Sequence, residues 1–115
     1  MLRSTVHQLF DQVVSCEQFL ENCGEQMWRD KLCQTRVVDA AGNEALDLDL
    51  LLSYFSQSEA FFDLELSKVH GHRVDESTEA GANSHLVSLR LDIYYLAQKC
   101  RDENNASIVI ISAYP

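Results

Sequence analysis

The sequence predicts an all-α protein, a bundle of four or five helices with a short extended C-terminal tail. Three observations support this fold class. Residues 4 to 22 and residues 83 to 101 repeat apolar side chains at helical spacing, and residues 43 to 55 are rich enough in leucine to favour a central helix. The 115 residues, 46% apolar and 23% charged, suffice for one core. We therefore expect residues 1 to 115 to form a single helical domain.

The first predicted helix covers residues 4 to 22, where one face collects Val6, Leu9, Phe10, Val13, Val14 and Leu20. Ser4 or Thr5 can cap its start, and Gly24 can end it. A second helix is predicted from about residue 25 to residue 38, before the Ala-Ala-Gly of residues 40 to 42. In this helix Trp28 is expected to anchor the core, because its ring buries more area than other side chains do.

Residues 43 to 69 predict two more helices. Asn43 can cap a helix that runs to about Phe55. The segment that follows is ambiguous, because apolar residues at 62, 64 and 66 alternate as in a strand while those at 62, 66 and 69 share a helical face. A helix is favoured there, since Ser58 followed by Glu59 makes a suitable start.

The last third of the sequence predicts a loop, a helix and the tail. Residues 70 to 82 are polar and contain Gly71 and Gly81, which indicates a mobile loop. The helix over residues 83 to 101 carries Lys99 and Arg101 near its negative C-terminal end. Residues 106 to 115 include an Ile-Val-Ile-Ile run without helical spacing, so they predict either a short strand or an extended segment covering the bundle.

The charge of the chain excludes several kinds of partner. Eighteen acidic against nine basic residues give a net charge of -9, which repels nucleic-acid phosphates and anionic lipids. No apolar run approaches the roughly 20 residues of a membrane span, and the N-terminus does not resemble a signal peptide. We expect a cytoplasmic monomer or weak dimer that binds neither nucleic acid nor membrane. The excess of acids suits either a basic protein partner or solubility alone.

No catalytic motif is present, so we expect neither an enzyme nor a cofactor. The four cysteines form no C-x-x-C pair and are interpreted as reduced core residues. One alternative is a small metal-dependent enzyme centred on His70 and His72, with His85 or Asp75 as a further ligand. Because this spacing is loose, surface histidines in a flexible loop are the favoured interpretation, and no metal site is predicted.

Residues 39 to 67 hold seven acids and no Lys or Arg. Helix dipoles would stabilise those in the first turns of predicted helices, such as Asp47 and Glu59. Asp49, Asp63 and Glu65 have no such explanation. A negative surface around aromatic anchors would attract and hold a basic protein partner. The predicted partner-binding residues are Asp47, Asp49, Tyr54, Glu59, Phe61, Asp63 and Glu65.

Three segments resemble a small, uncharacterised family of bacterial all-helical domains. They are GEQMW at residues 24 to 28, LLLSYFSQSEAFFDLELSKVHGHRVD at residues 50 to 75 and LVSLRLDIYYLAQKCR at residues 86 to 101. The chain lacks the family's Gly-Gly-Met-Gly turn, having SQSEAFFDL in its place, and it has Phe where the family has Asn. The resemblance implies a protein that neutralises a secreted toxin, and it supplies no catalytic residues.

The predicted function is therefore an immunity-type inhibitor that covers the basic active-site region of a cognate bacterial toxin. The alternative is an adaptor or regulatory domain that recognises another basic protein.

Overall fold

The computed structural model describes residues 4 to 56 and 61 to 111. In chain order the described elements are α1 (Thr5–Asn22), α2 (Gln26–Gln34), β1 (Arg36–Val38), β2 (Glu44–Asp47), α3 (Leu48–Ser53), α4 (Glu79–Asn104) and β3 (Ile108–Ile110). Two short 3-10 turns, Phe61–Asp63 and Lys68–His70, lie between α3 and α4. Helix α1 packs against both α2 and α4.

The prediction of an all-α bundle was wrong, because the fold is mixed α/β. The three strands form one antiparallel sheet in the order β1-β2-β3. The second predicted helix ends at Gln34 and is followed by β1, while β2 occupies the start of the third. Strands of three and four residues are too short to show the alternation that distinguishes a strand from a helix.

A tight turn joins β1 to β2. Asp39 and Asn43 close a three-residue loop, and Gly42 adopts a positive φ of 86°, as is common in hairpin loops of this length. The carboxylate of Asp39 accepts hydrogen bonds from the backbone N–H groups of Ala41 and Asn43, both at 2.9 Å. These bonds lower the pKa of Asp39, with the backbone of Asn43 as the main cause. Asn43 thus ends a turn and does not cap a helix.

The tail forms strand β3, which settles the alternatives left open by its sequence. Leu46 of β2 pairs with Val109 of β3, and Val109 and Ile111 are buried in the core. Residues 112 to 115 lie outside the described part of the chain.

The first and last predicted helices are confirmed. The side chain of Ser4 accepts a hydrogen bond from the N–H of His7, and Gly24 follows α1 with a φ of 80°. Helix α4 begins four residues earlier than predicted, at Glu79, which shortens the predicted loop. Despite its 26 residues, no helix among the described residues is both long and apolar enough to cross a membrane.

The segment between α3 and α4 is neither the predicted helix nor a strand over its described residues, 61 to 69. The ring of Phe61 is buried and stacks on Trp28 with centroids 4.5 Å apart. Tyr54 meets Trp28 edge to face at 5.6 Å. Trp28 is therefore the core anchor that the sequence predicted, and its partners fix where the segment enters the core.

The cysteines are free thiols, as predicted. Cys16, Cys23 and Cys100 are buried, whereas Cys33 is partly exposed. Burial raises the pKa of Cys16 to about 12 and that of Cys100 to about 11, so both remain protonated at neutral pH.

Candidate protein-docking surface

The two aromatic residues predicted as partner anchors are core residues. Tyr54 and Phe61 are almost fully buried, and the Tyr54 hydroxyl donates a hydrogen bond of 2.8 Å to the carbonyl oxygen of Lys31. Neither ring reaches the surface, so neither can contact a partner of the folded protein. Glu59 lies outside the described residues.

The predicted acids separate into two groups. The carboxylate of Asp47 caps α3 by accepting a hydrogen bond from the N–H of Leu50 at 3.0 Å. Asp49 lies in the first turn of α3, where its N–H meets the carbonyl of Ser107 just beyond α4. Glu65 adjoins Leu66, which is bound to Asn83 near the other end of α4. The first two acids thus lie near the C-terminal end of α4, whereas Glu65 lies near its N-terminal part.

Two side chains of α4 hold residues 61 to 67 in place. The side-chain amide of Asn83 accepts from the N–H of Leu66 at 2.7 Å and donates to its carbonyl at 2.9 Å. Nη1 of buried Arg90 donates to the carbonyls of Phe61 at 2.7 Å and Leu64 at 3.0 Å. The segment is thus fixed along α4, although it has little regular structure of its own.

The buried positions of residues 61 to 67 determine which other side chains of this segment face solvent. With Phe61 and Leu66 inside, Phe62, Asp63 and Glu65 face solvent. Within residues 4 to 56 and 61 to 111, neither Asp63 nor Glu65 forms an ion pair with a Lys or Arg. Burial lowers the pKa of Arg90, and the negative charge of Asp63 opposes that effect. The two acids thus remain exposed and available for an external partner.

Exposed rings and aliphatic side chains continue this surface onto α4. Phe62 is 41% exposed and lies 5.7 Å from the ring of Tyr94, which lies 5.9 Å from that of Tyr95. Tyr95 is 64% exposed, and Leu91 and Val87 precede it at intervals of four residues, on the same flank of the helix. We call this surface the Phe62 face; it comprises Phe62, Asp63, Glu65, Val87, Leu91, Tyr94 and Tyr95.

The sequence predicted only the acids of the Phe62 face. The sequence also contains a signal for the residues that α4 contributes to this face. Val87, Leu91 and Tyr95 recur every four positions, outside the core stripe of the helix. That second stripe is apolar, although a solvated helix flank would ordinarily be polar.

A depression of about 360 Å³ adjoins the acids of this face and includes His70 and His72 in its wall. Both ring nitrogens of His72 are occupied. Nδ1 accepts from the N–H of Ser67 at 2.9 Å, so Nε2 carries the proton and donates to Glu25 at 2.9 Å. This pair ties the loop to the start of α2. It also leaves His72 without a free nitrogen for a metal, and no cluster of three potential metal ligands occurs in the described ranges.

Comparisons with known proteins found no match to any protein-family model, any curated protein or any solved structure. The resemblance to bacterial helical domains therefore stays a prediction.

Proposed function

We propose that this chain is a binding protein that docks a basic protein through the Phe62 face and acts as an immunity-type inhibitor. The observation that carries the proposal is that Asp63 and Glu65, which form no ion pair with any described residue, lie beside the exposed rings of the Phe62 face. Tyrosine and other aromatic residues provide much of the binding energy of protein interfaces, and exposed apolar patches commonly mark such interfaces.

Charge complementarity defines the partner as a protein with a cationic active-site region. An enzyme that acts on nucleic acid must attract phosphates and therefore has a basic active-site surface. A chain with a net charge of -9 would be drawn to that surface, and the rings beside its acids would hold it there. Covering the cationic region would exclude the substrate. We place this activity in the cytoplasm, where the four free thiols would stay reduced.

The test compares two charge-reversal variants in affinity capture from a native-host lysate, followed by binding kinetics with the captured protein. D63K/E65K alters the Phe62 face, while E76K/D102K makes the same change in net charge at exposed sites elsewhere. We expect D63K/E65K to lower the association rate constant about tenfold or more at low salt, because electrostatic attraction mainly accelerates association. E76K/D102K should change it much less.

A second variant tests the rings. F62A/Y95A should leave the association rate nearly unchanged and raise the dissociation rate, because buried rings determine the lifetime of a complex. The proposal fails if no basic protein is captured, or if the captured protein binds all variants alike.

A further inference from the structure

A second concave site lies where Phe10 of α1 and Cys33 of α2 meet the sheet. This sheet cavity has a volume of about 270 Å³. Its apolar wall includes Phe10 of α1, Val38 of β1 and Ile111 beyond β3, and its polar wall includes Arg36 and Glu44. Pockets for drug-sized ligands span about 300 to 1,000 Å³, so this cavity suits a smaller molecule. It shares no residue with the Phe62 face.

The strand register places a positive and a negative side chain on one face of the sheet. Arg36 pairs with Leu46, and Glu44 is two residues from Leu46 on the same strand, so Arg36 and Glu44 are diagonal neighbours. The Cα atoms of such diagonal neighbours are about 7 to 8 Å apart. Their charged groups form no ion pair with each other, although both line the cavity.

The partner of Arg36 is Glu17, which is 6% exposed. Oε1 of Glu17 accepts from Arg36 Nη2 at 2.7 Å and from the Cys33 thiol at 2.6 Å. This arrangement uses only one nitrogen of Arg36; within the described chain Nη1 and Nε donate to no acceptor. Burial and the bond to Glu17 raise the pKa of Cys33, so its thiol remains neutral and is not an activated nucleophile.

The ion pair between buried Glu17 and exposed Arg36 also leaves an acceptor of Glu17 unused. Oε2 of Glu17 is buried and has no hydrogen-bond partner among the described residues. Native proteins rarely leave a buried polar atom unpaired, because its desolvation is not compensated. The cavity itself combines an apolar wall, donors on Arg36 and a free carboxylate on Glu44.

We propose that the sheet cavity binds a small zwitterion with an apolar side chain, namely a free aliphatic or aromatic α-amino acid. The carboxylate of the ligand would accept from Arg36, its ammonium group would donate to Glu44, and its side chain would contact Phe10 and Val38. One carbon separates the two charged groups of an α-amino acid, so such a ligand can meet two neighbouring side chains of opposite charge with a charge-assisted hydrogen bond of about 2.8 Å at each end. A ligand with a single charge would leave either the free donors of Arg36 or the carboxylate of Glu44 without a partner.

Isothermal titration with three isosteric probes tests this assignment. L-leucine carries both charges, L-leucinamide lacks the carboxylate, and 4-methylpentanoate lacks the ammonium group. We expect saturable binding of L-leucine with a Kd below about 1 mM and binding of each single-charge probe roughly tenfold weaker, since each loses one charge-assisted hydrogen bond.

Two variants locate the binding site. V38W should fill the mouth of the cavity and abolish binding, while V69W makes the same change at an exposed position elsewhere and should leave the affinity unchanged. E44Q should weaken the binding of L-leucine and leave the binding of 4-methylpentanoate unchanged. Circular dichroism would establish that each variant is folded. Absence of saturable binding by L-leucine and L-phenylalanine, equal affinity for the three probes, or undiminished binding by folded V38W would each overturn the proposal.

Discussion

In residues 39 to 47 the carboxylates of Asp39 and Asp47 accept hydrogen bonds from backbone N–H groups, whereas in residues 61 to 67 those of Asp63 and Glu65 face solvent. Both regions belong to the same uncompensated acidic stretch. The first uses its charge to build a turn and a helix start, and the second places its charge beside exposed rings. The surplus of acids in this stretch therefore has two separate physical causes: some carboxylates bind the backbone of their own region, and others form part of the exposed Phe62 face.

The largest expected effect distinguishes two adjacent rings of the second region. F61A should lower the free energy of unfolding by about 3 to 5 kcal/mol, because Phe61 is fully buried against Trp28. F62A should lower it by about 1 kcal/mol or less, since Phe62 is partly exposed. Urea denaturation measures both. Equal losses would show that Phe62 is a structural residue and not part of a docking surface.

The second-largest effect on stability concerns the hydrogen bonds that attach residues 61 to 67 to α4. R90M removes the donor to the carbonyls of Phe61 and Leu64 and should cost about 2 kcal/mol of unfolding free energy. R101M, at the exposed end of the same helix, provides the control and should stay within about 0.5 kcal/mol of the wild type. If the two variants are equally stable, Arg90 does not fix the segment.

The third prediction compares acids from the two regions directly. D47A removes the cap of α3 and should cost about 1 kcal/mol, while E65A should remain within about 0.5 kcal/mol of the wild type. Chemical denaturation at neutral pH measures the difference. If E65A lost as much unfolding free energy as D47A, the distinction between backbone-bound acids in the first region and solvent-facing acids in the second would be wrong.

The smallest effect concerns acid pH. The pKa of Asp39 in the folded protein lies below its ordinary value of 3.8. Its contribution to stability is therefore present above pH 3.8 and is lost as the pH falls through the lowered pKa. D39N should make the decline of stability below about pH 4 less steep, as followed by denaturation between about pH 6 and pH 2. E65Q removes a surface charge and should retain the wild-type slope; identical slopes in all three proteins would contradict the prediction.

Helical spacing and end signals were sufficient to predict α1, α4 and the core position of Trp28. They failed at the β1–β2 hairpin, because residues 36 to 38 were assigned to the end of the second helix and Asn43 is a common helix cap. The informative residue was Gly42, whose left-handed conformation suits the end of a three-residue hairpin loop. Local pattern could not locate β3 in the sheet, since its partner strand lies far away in the sequence.

The candidate surface was predicted only in part for a similar reason. Phe61 and Phe62 are neighbours of identical chemistry, and only their packing against Trp28 and Tyr94 determines which one is buried. Tyr95 went unnoticed because the core stripe of α4 already accounted for its helical pattern. Asp63 and Glu65 were found because charge without a local counter-charge is visible in the sequence itself.

The pairing of β2 with β3 has a consequence for the order in which the protein can fold. Leu46 and Val109 are neighbours in the sheet although the whole of α3 and α4 separates them in the chain. Closing so long a loop is entropically unfavourable, and folds with such distant contacts form slowly. During synthesis, Leu46 could pair with Arg36 of β1 but would lack its partner in β3 until that strand had left the ribosome. The nascent chain would therefore carry an incomplete sheet, and an incomplete core, until residues 108 to 110 had been synthesised.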